Sequence, residues 1–176
     1  MFNRQIIFIL FILLTMPYLA QSNQNRKSIK TTRITQTPKI DGDLNDEAWK
    51  NTEVATDFVV LRPANGKVVD KNYQTTVKVV YNDDAIYISA EMNDPNPEKI
   101  PREFAVRDNF SISDFFLVTI NPNDDGQNPF EFIVQATGNQ ADAKVSNGRE
   151  DFNWSGVWAS ASRITDAGWV VEMEIP

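Results

Sequence analysis

Seven short segments rich in β-branched and aromatic residues, each closed off by Asn, Asp, Gly or Pro, set the class of fold this chain can reach. They lie near Val54 to Val60, Thr75 to Tyr81, Ala85 to Met92, Asp114 to Ile120, Phe130 to Ala136, Trp158 to Ile164 and Trp169 to Ile175. Strands this short and this closely spaced, with no helical stretches between them, call for antiparallel pairing in a sandwich or barrel. Asn82-Asp83-Asp84, Asn121 to Pro129 and Thr165-Asp166-Ala167-Gly168 supply the turns, because Asn, Asp and Gly tolerate the backbone angles turns require. Polar residues recur at alternate positions in Tyr87 to Met92 and in Trp169 to Ile175, so each strand is expected to have one wet and one dry face. Phe115-Phe116-Leu117-Val118 is apolar throughout and is expected to be a central strand. One helical turn is expected at Asn45 to Lys50, with acidic residues at its start, where they suit the helix dipole. The expected fold is all-β, an antiparallel β-sandwich of about seven strands with one short helical turn.

Residues 1–22 read as a cleaved signal peptide, with Arg4 in the n-region, an apolar run from Ile6 to Leu14, and Ala20-Gln21-Ser22 as the cleavage site. That run is shorter than the roughly 20 residues needed to span a bilayer. The protein is therefore expected to be exported, to the periplasm, the cell surface or the medium. Residues 23–39 read as a basic, solvated linker carrying Arg26, Lys27, Lys30, Arg33 and Lys39. The sandwich is expected over 40–176, a length that can bury a sizeable core. With no cysteine in the chain, disulfides and thiolate sites are excluded. All 24 acidic residues of the chain follow Ile40, so the sandwich is strongly acidic and is expected to repel nucleic acid phosphates. Neutral ligands and cations remain as partners.

The same residues limit the chemistry. There is no histidine, which removes the commonest general base and the Ser-His-Asp triad. Asp114, Glu131, Asp142, Glu150 and Asp151 are raw material for a paired-carboxylate glycosidase, but nothing in their spacing singles out a pair. Haem is not an expected partner, since only Met92 and Met173 remain as ligands in the mature chain. No catalytic set is expected. Trp154, flanked by Asn153, Ser155 and Gly156, is the best-placed aromatic for meeting a sugar; its other reading, favoured by the heavy use of large aromatics in burial, is a cover over the sandwich end. Trp49, Trp158 and Trp169 are assigned to the core. Asn121 to Gly126 nearly matches the start of a calcium loop, with Asn123, Asp124 and Asp125 as candidate ligands. Its first position is Asn, position twelve is Phe132, and its flanks are strands, so an EF-hand is excluded and an ordinary hairpin turn is the leading reading. Asp41 is read as a turn residue beside Gly42.

Five pieces in order resemble the family 9 carbohydrate-binding modules: Ile40-Asp41-Gly42 with Leu44, Glu47 and Trp49; the hairpin around Asn82-Asp83-Asp84; Ser113-Asp114 opening a strand; Gly138; and Gly168-Trp169 with Glu172 and Ile175-Pro176. The resemblance covers nearly all of the mature chain and implies a β-sandwich. It further implies a non-catalytic accessory domain, associated with polysaccharide breakdown by O-glycosyl hydrolases, that binds poly- or oligosaccharide and can hold structural calcium. Xylan-binding members hold a sugar between two Trp rings. Where the first ring is expected this chain has Phe110-Ser111-Ile112, and Leu117 and Ile133 stand where polar sugar contacts are expected. The second ring falls beyond Pro176. Trp154 and Phe110, with Asn153 and Gln135, are the expected glycan contacts. Because similar domains continue past the Ile-Pro step, the sandwich is expected to be incomplete and followed by a downstream domain. The alternatives are a structural or interaction domain of an envelope protein that has lost the sugar site, and a glycoside hydrolase whose catalytic residues lie further on.

Overall fold

A computed structural model describes residues 27–176, so the signal-peptide reading falls outside the described residues. The fold is a two-sheet β-sandwich. The strands are β1 (Thr32–Arg33), β2 (Val54–Ala55), β3 (Thr75–Tyr81), β4 (Ile86–Asn93), β5 (Phe115–Ile120), β6 (Phe130–Gln135), β7 (Gln140–Ser146), β8 (Arg149–Asp151), β9 (Ala159–Thr165) and β10 (Gly168–Ile175). One sheet runs β1-β3-β4-β10-β9 with β2 also on β3; the other runs β5-β6-β7-β8. Every pairing is antiparallel except that of β1 with β3.

Alternation decides which residues meet between the sheets. Trp169, Val171, Met173 and Ile175 of β10 face Phe132 and Val134 of β6, with Val77, Ile88, Ala90 and Trp158 in the same cluster. A second apolar cluster lies on the outer side of the larger sheet, where Trp49, Val80, Ala85 and Tyr87 are covered by Ile34, Ile40 and Leu44. The segment from Ile34 to Trp49 is thus a third layer, and one buried side chain holds it in place. The Glu172 carboxylate of β10 accepts hydrogen bonds from Asp41 N at 3.1 Å and Gly42 N at 2.8 Å on Oε2, and from Trp49 Nε1 at 2.9 Å on Oε1. Burial pushes this carboxyl above its usual range, while the N–H groups of Trp49, Gly42 and Asp41 pull it back. Gly42 takes φ +78° where the chain turns over β9, a conformation that favours glycine.

Several expectations need correction. The stretch read as a linker contains β1, which extends the larger sheet through Thr32↔Val80 and Arg33↔Tyr81. The Val54 to Val60 segment is a strand only at Val54–Ala55, because Asp57 takes φ 58° and breaks the extended run. The helical turn is a 3₁₀ turn at Glu47–Trp49. Phe115 to Val118 belongs to an edge strand, not a central one. Its inward residues Phe116, Val118 and Ile120 pack on the core, whereas Phe115 and Leu117 point to the opposite face. β7 and β8 were not foreseen, since Gln140 to Ser146 combines small alanines with Asp142, a residue depleted in strands. In the fold Asp142 is fully buried, paired with Arg107 and bonded to Gly156 N.

Candidate functional site

Register places Phe115, Leu117 and Thr119 of β5, Gln135, Ile133 and Glu131 of β6, and Ala141 and Ala143 of β7 on the outer face of the smaller sheet. An outward face should be wet, yet Ile133 is 1% exposed and Ala141 and Ala143 are fully buried. The segment around residues 107–112 lies near this face and is pinned to it. Asp108 N donates to Gln140 O, and the Asp108 carboxylate accepts from Asp142 N. The tightest tie is Gln135. Its Oε1 accepts from Ser111 N at 3.1 Å and Ser111 Oγ at 2.7 Å, and its Nε2 donates to Asn109 O at 2.9 Å. These bonds fall on either side of Phe110 and fix the backbone that presents it.

The Phe110 ring meets two others edge-on, Phe115 at 6.1 Å and Phe152 at 5.7 Å between centroids. Phe110 is 51% exposed and Phe115 54%, so the trio forms a half-open aromatic platform above the closed part of the sheet. Carboxylates flank it. Glu131 is pushed up by burial and then by the charge of Glu150, and Asp114, next to Phe115, by burial and then by Asp94. Asp114 and Phe115 also border a cavity of about 370 Å³ with Tyr73, Asn93, Asp94 and Ser113.

The expected contacts do not all come together. Phe110 is on the platform. Gln135 is fully buried and its amide is committed to Ser111 and Asn109, so it positions Phe110 and is out of a ligand's reach. Trp154 lies on the opposite side of the same sheet, against Phe130 at 4.8 Å and Phe132 at 6.1 Å, both inward-facing. It lines an apolar cavity of about 390 Å³ at the sandwich end with Ile120, Ile175 and Pro176, so the cover reading describes its place. Asn153 is exposed and closes an Asx turn, its backbone and side-chain nitrogens donating to Asp151 Oδ1 at 3.0 and 2.9 Å. Phe115 and Phe152 were missed as site residues. Phe152 is the lone aromatic in Arg149-Glu150-Asp151-Phe152-Asn153, and that polar setting was the available signal.

In the acidic loop, Asp125 Oδ1 accepts from Gln127 N and Asn128 N, and Oδ2 from Asn128 Nδ2. Those donors, Gln127 N–H first, hold the Asp125 carboxyl below its usual range. Asp124 takes φ 49° as a turn residue. Among the described residues no group of three His, Cys, Asp or Glu side chains comes together. These bonds place Asp125, with Asp124 at positive φ, in a hydrogen-bonded turn.

No curated protein matches the chain. Among solved structures, a carbohydrate binding module family 9 from Caldicellulosiruptor kristjanssonii in complex with cellotriose is 18% identical with a TM-score of 0.59, covering 85% of this chain and 67% of that one. A second from the same organism, in complex with glucose, is 18% identical with a TM-score of 0.55, covering 81% and 68%. A Bacteroides uniformis protein is 14% identical with a TM-score of 0.62, covering 83% and 71%. At these identities the likeness concerns the fold. The family model described as "Carbohydrate family 9 binding domain-like" matches residues 40–176, the span from the Glu172-tethered segment to the end of β10. The chain therefore belongs to the carbohydrate family 9 binding domain-like family.

Proposed function

We propose that this chain supplies a non-catalytic, carbohydrate-binding accessory domain to an exported protein that takes part in polysaccharide breakdown, and that the Phe110, Phe115 and Phe152 platform receives the sugar. The observation that carries this reading is a cluster of two half-exposed rings, Phe110 and Phe115, with the part-buried Phe152 against Phe110, whose backbone the buried Gln135 amide holds on the sheet face. The C–H faces of a pyranose pack on aromatic rings, and a pre-formed platform keeps the ordering cost of binding low. Family membership and the cellotriose and glucose held by the Caldicellulosiruptor modules support a glycan ligand. A non-catalytic role is supported by membership of a family of binding domains. Export rests on the reading of residues 1–22, and a downstream domain on the resemblance stated above.

Affinity electrophoresis in xylan and in soluble cellulose derivatives tests the proposal. The wild type is expected to be retarded in at least one gel, and Phe110→Ala to run as in a gel without glycan. A second reading, an interaction domain that has lost its sugar site, is favoured by Leu117 and Ile133, which leave the middle of the outer face without hydroxyl partners. Unretarded migration of folded wild type in every glycan would decide for it.

A further inference from the structure

The outer face of the six-stranded sheet carries a groove of about 440 Å³ beside the Asp43-Leu44-Asn45 turn, remote from the aromatic platform. Its floor follows from register. One row runs Thr76–Glu91–Val170–Arg163 across β3, β4, β10 and β9, and the next begins Lys78–Ser89 and continues to Glu172, which tethers the turn above. The groove is therefore pre-formed by two sheet rows and by the segment whose position Glu172 fixes.

Its polar groups are underused. Ser89 is 2% exposed and lines the groove, and its hydroxyl has no hydrogen-bond partner among the described residues. As both donor and acceptor, this hydroxyl can bond a polar group that enters the groove. Glu91 forms no ion pair among the described residues. Lys78 Nζ donates to Trp49 O at 2.9 Å and retains two further N–H bonds. Arg163 and Asp43 are only loosely paired at 3.6 Å. Two cations and two carboxylates cancel, and Val170 with Leu44 gives the groove an apolar strip.

We propose that this groove is a second ligand site, for a neutral polyhydroxylated ring the size of one sugar unit. Cancelling charges disfavour ions of either sign. Glu91 accepts from a vicinal pair of hydroxyls, Lys78 donates to a hydroxyl or ring oxygen, Ser89 does either, and the C–H face rests on Val170. The site does not depend on the platform, and its affinity is expected to be millimolar, as suits a single ring without an aromatic partner.

The test is a titration of backbone amide NMR shifts with glucose, using the Phe110→Ala chain so that the platform is removed. Shifts are expected at Thr76, Ser89, Glu91 and Val170, with Glu91→Ala weakening the binding at least about tenfold and Glu91→Gln weakening it less. Because Glu91 is exposed and unpaired, an unchanged melting temperature in Glu91→Ala confirms that the fold is retained. The proposal is overturned if those amides do not move in Phe110→Ala, or if they move equally in Phe110→Ala/Glu91→Ala. Tighter binding of glucuronate or glucosamine than of glucose overturns the choice of a neutral ligand. Groove shifts without platform shifts in the wild type would defeat the platform reading and leave this one standing.

Discussion

Replacing Glu172 by Gln tests the most consequential contact in the fold, because one carboxylate satisfies three N–H donors of a segment 123 to 131 residues away. A carboxamide offers one acceptor oxygen. If that oxygen takes the place of Oε2 and keeps Asp41 N and Gly42 N, its NH₂ faces Trp49 Nε1–H; the reverse orientation strands both backbone donors. A buried donor left unsatisfied costs about 1–3 kcal/mol, and the bonds that survive lose their charge assistance, so Glu172→Gln should cost about 3 kcal/mol. For a domain of this size that is a fall in melting temperature of about 9 °C. Trp49→Phe removes the opposing N–H, so in the double variant the NH₂ meets a ring instead of a donor. The two costs should then combine less than additively, with a coupling of about 1–2 kcal/mol. Urea unfolding followed by far-UV circular dichroism measures all four proteins without depending on Trp49 fluorescence. A Glu172→Gln cost below about 0.5 kcal/mol, the range of ordinary surface substitutions, would refute the reasoning, as would additivity within about 0.5 kcal/mol.

Three further outcomes are expected. Gly168→Ala would place its Cβ 2.0 Å from Met92 O and 2.7 Å from Asp94 N at φ +145°, so a loss on the order of 3 kcal/mol is expected by thermal melting, and a melt within 2 °C of wild type would contradict this packing. Gln135→Ala leaves Ser111 N–H without its partner and releases the backbone around Phe110, so it should weaken both stability and glycan retardation; retardation equal to wild type in a destabilised variant would show that Gln135 does not position the platform. Asp125 is held below its usual pKa, so its stabilisation is fully present above the normal Asp value and is lost as pH falls through the folded value. The melting-temperature gap between wild type and Asp125→Asn should therefore close towards low pH and should not respond to a calcium chelator, whereas a chelator-dependent gap would mean that the loop holds a cation.

What was legible in the sequence follows from local rules. Alternation in β4 and β10, the β-rich run of β3, and the Asn, Asp and Gly turns made the centre of the larger sheet and its hairpins readable, because propensity and burial agree there. The run from Ile40 to Trp49 and the run from Gly168 to Pro176 were recognised together, and Glu172 supplies the physical reason: the second run carries the carboxylate that the first run's N–H groups require. Legibility failed where a residue's partner is distant in sequence. β7 was hidden because Asp142 is tolerable in a strand only when Arg107 and Gly156 N meet it. Phe115 to Val118 read as central because both its faces are apolar, yet the outward members Phe115 and Leu117 stay part-exposed on an edge strand. Trp154 carried two readings, sugar contact and end cover, because its polar neighbours could not show Phe130 and Phe132, which draw it inward and lie more than twenty residues earlier.

The central claim is that Phe110, Phe115 and Phe152 form the sugar-receiving surface, and titrating the wild-type chain with cellotriose while recording backbone amide NMR shifts tests it most directly. The account predicts saturable shifts at Phe110, Ser111, Phe115 and Phe152 that vanish in Phe110→Ala, with the amides around Trp154 unmoved. Shifts centred on Trp154, or none at the three phenylalanines in a folded chain, would contradict it.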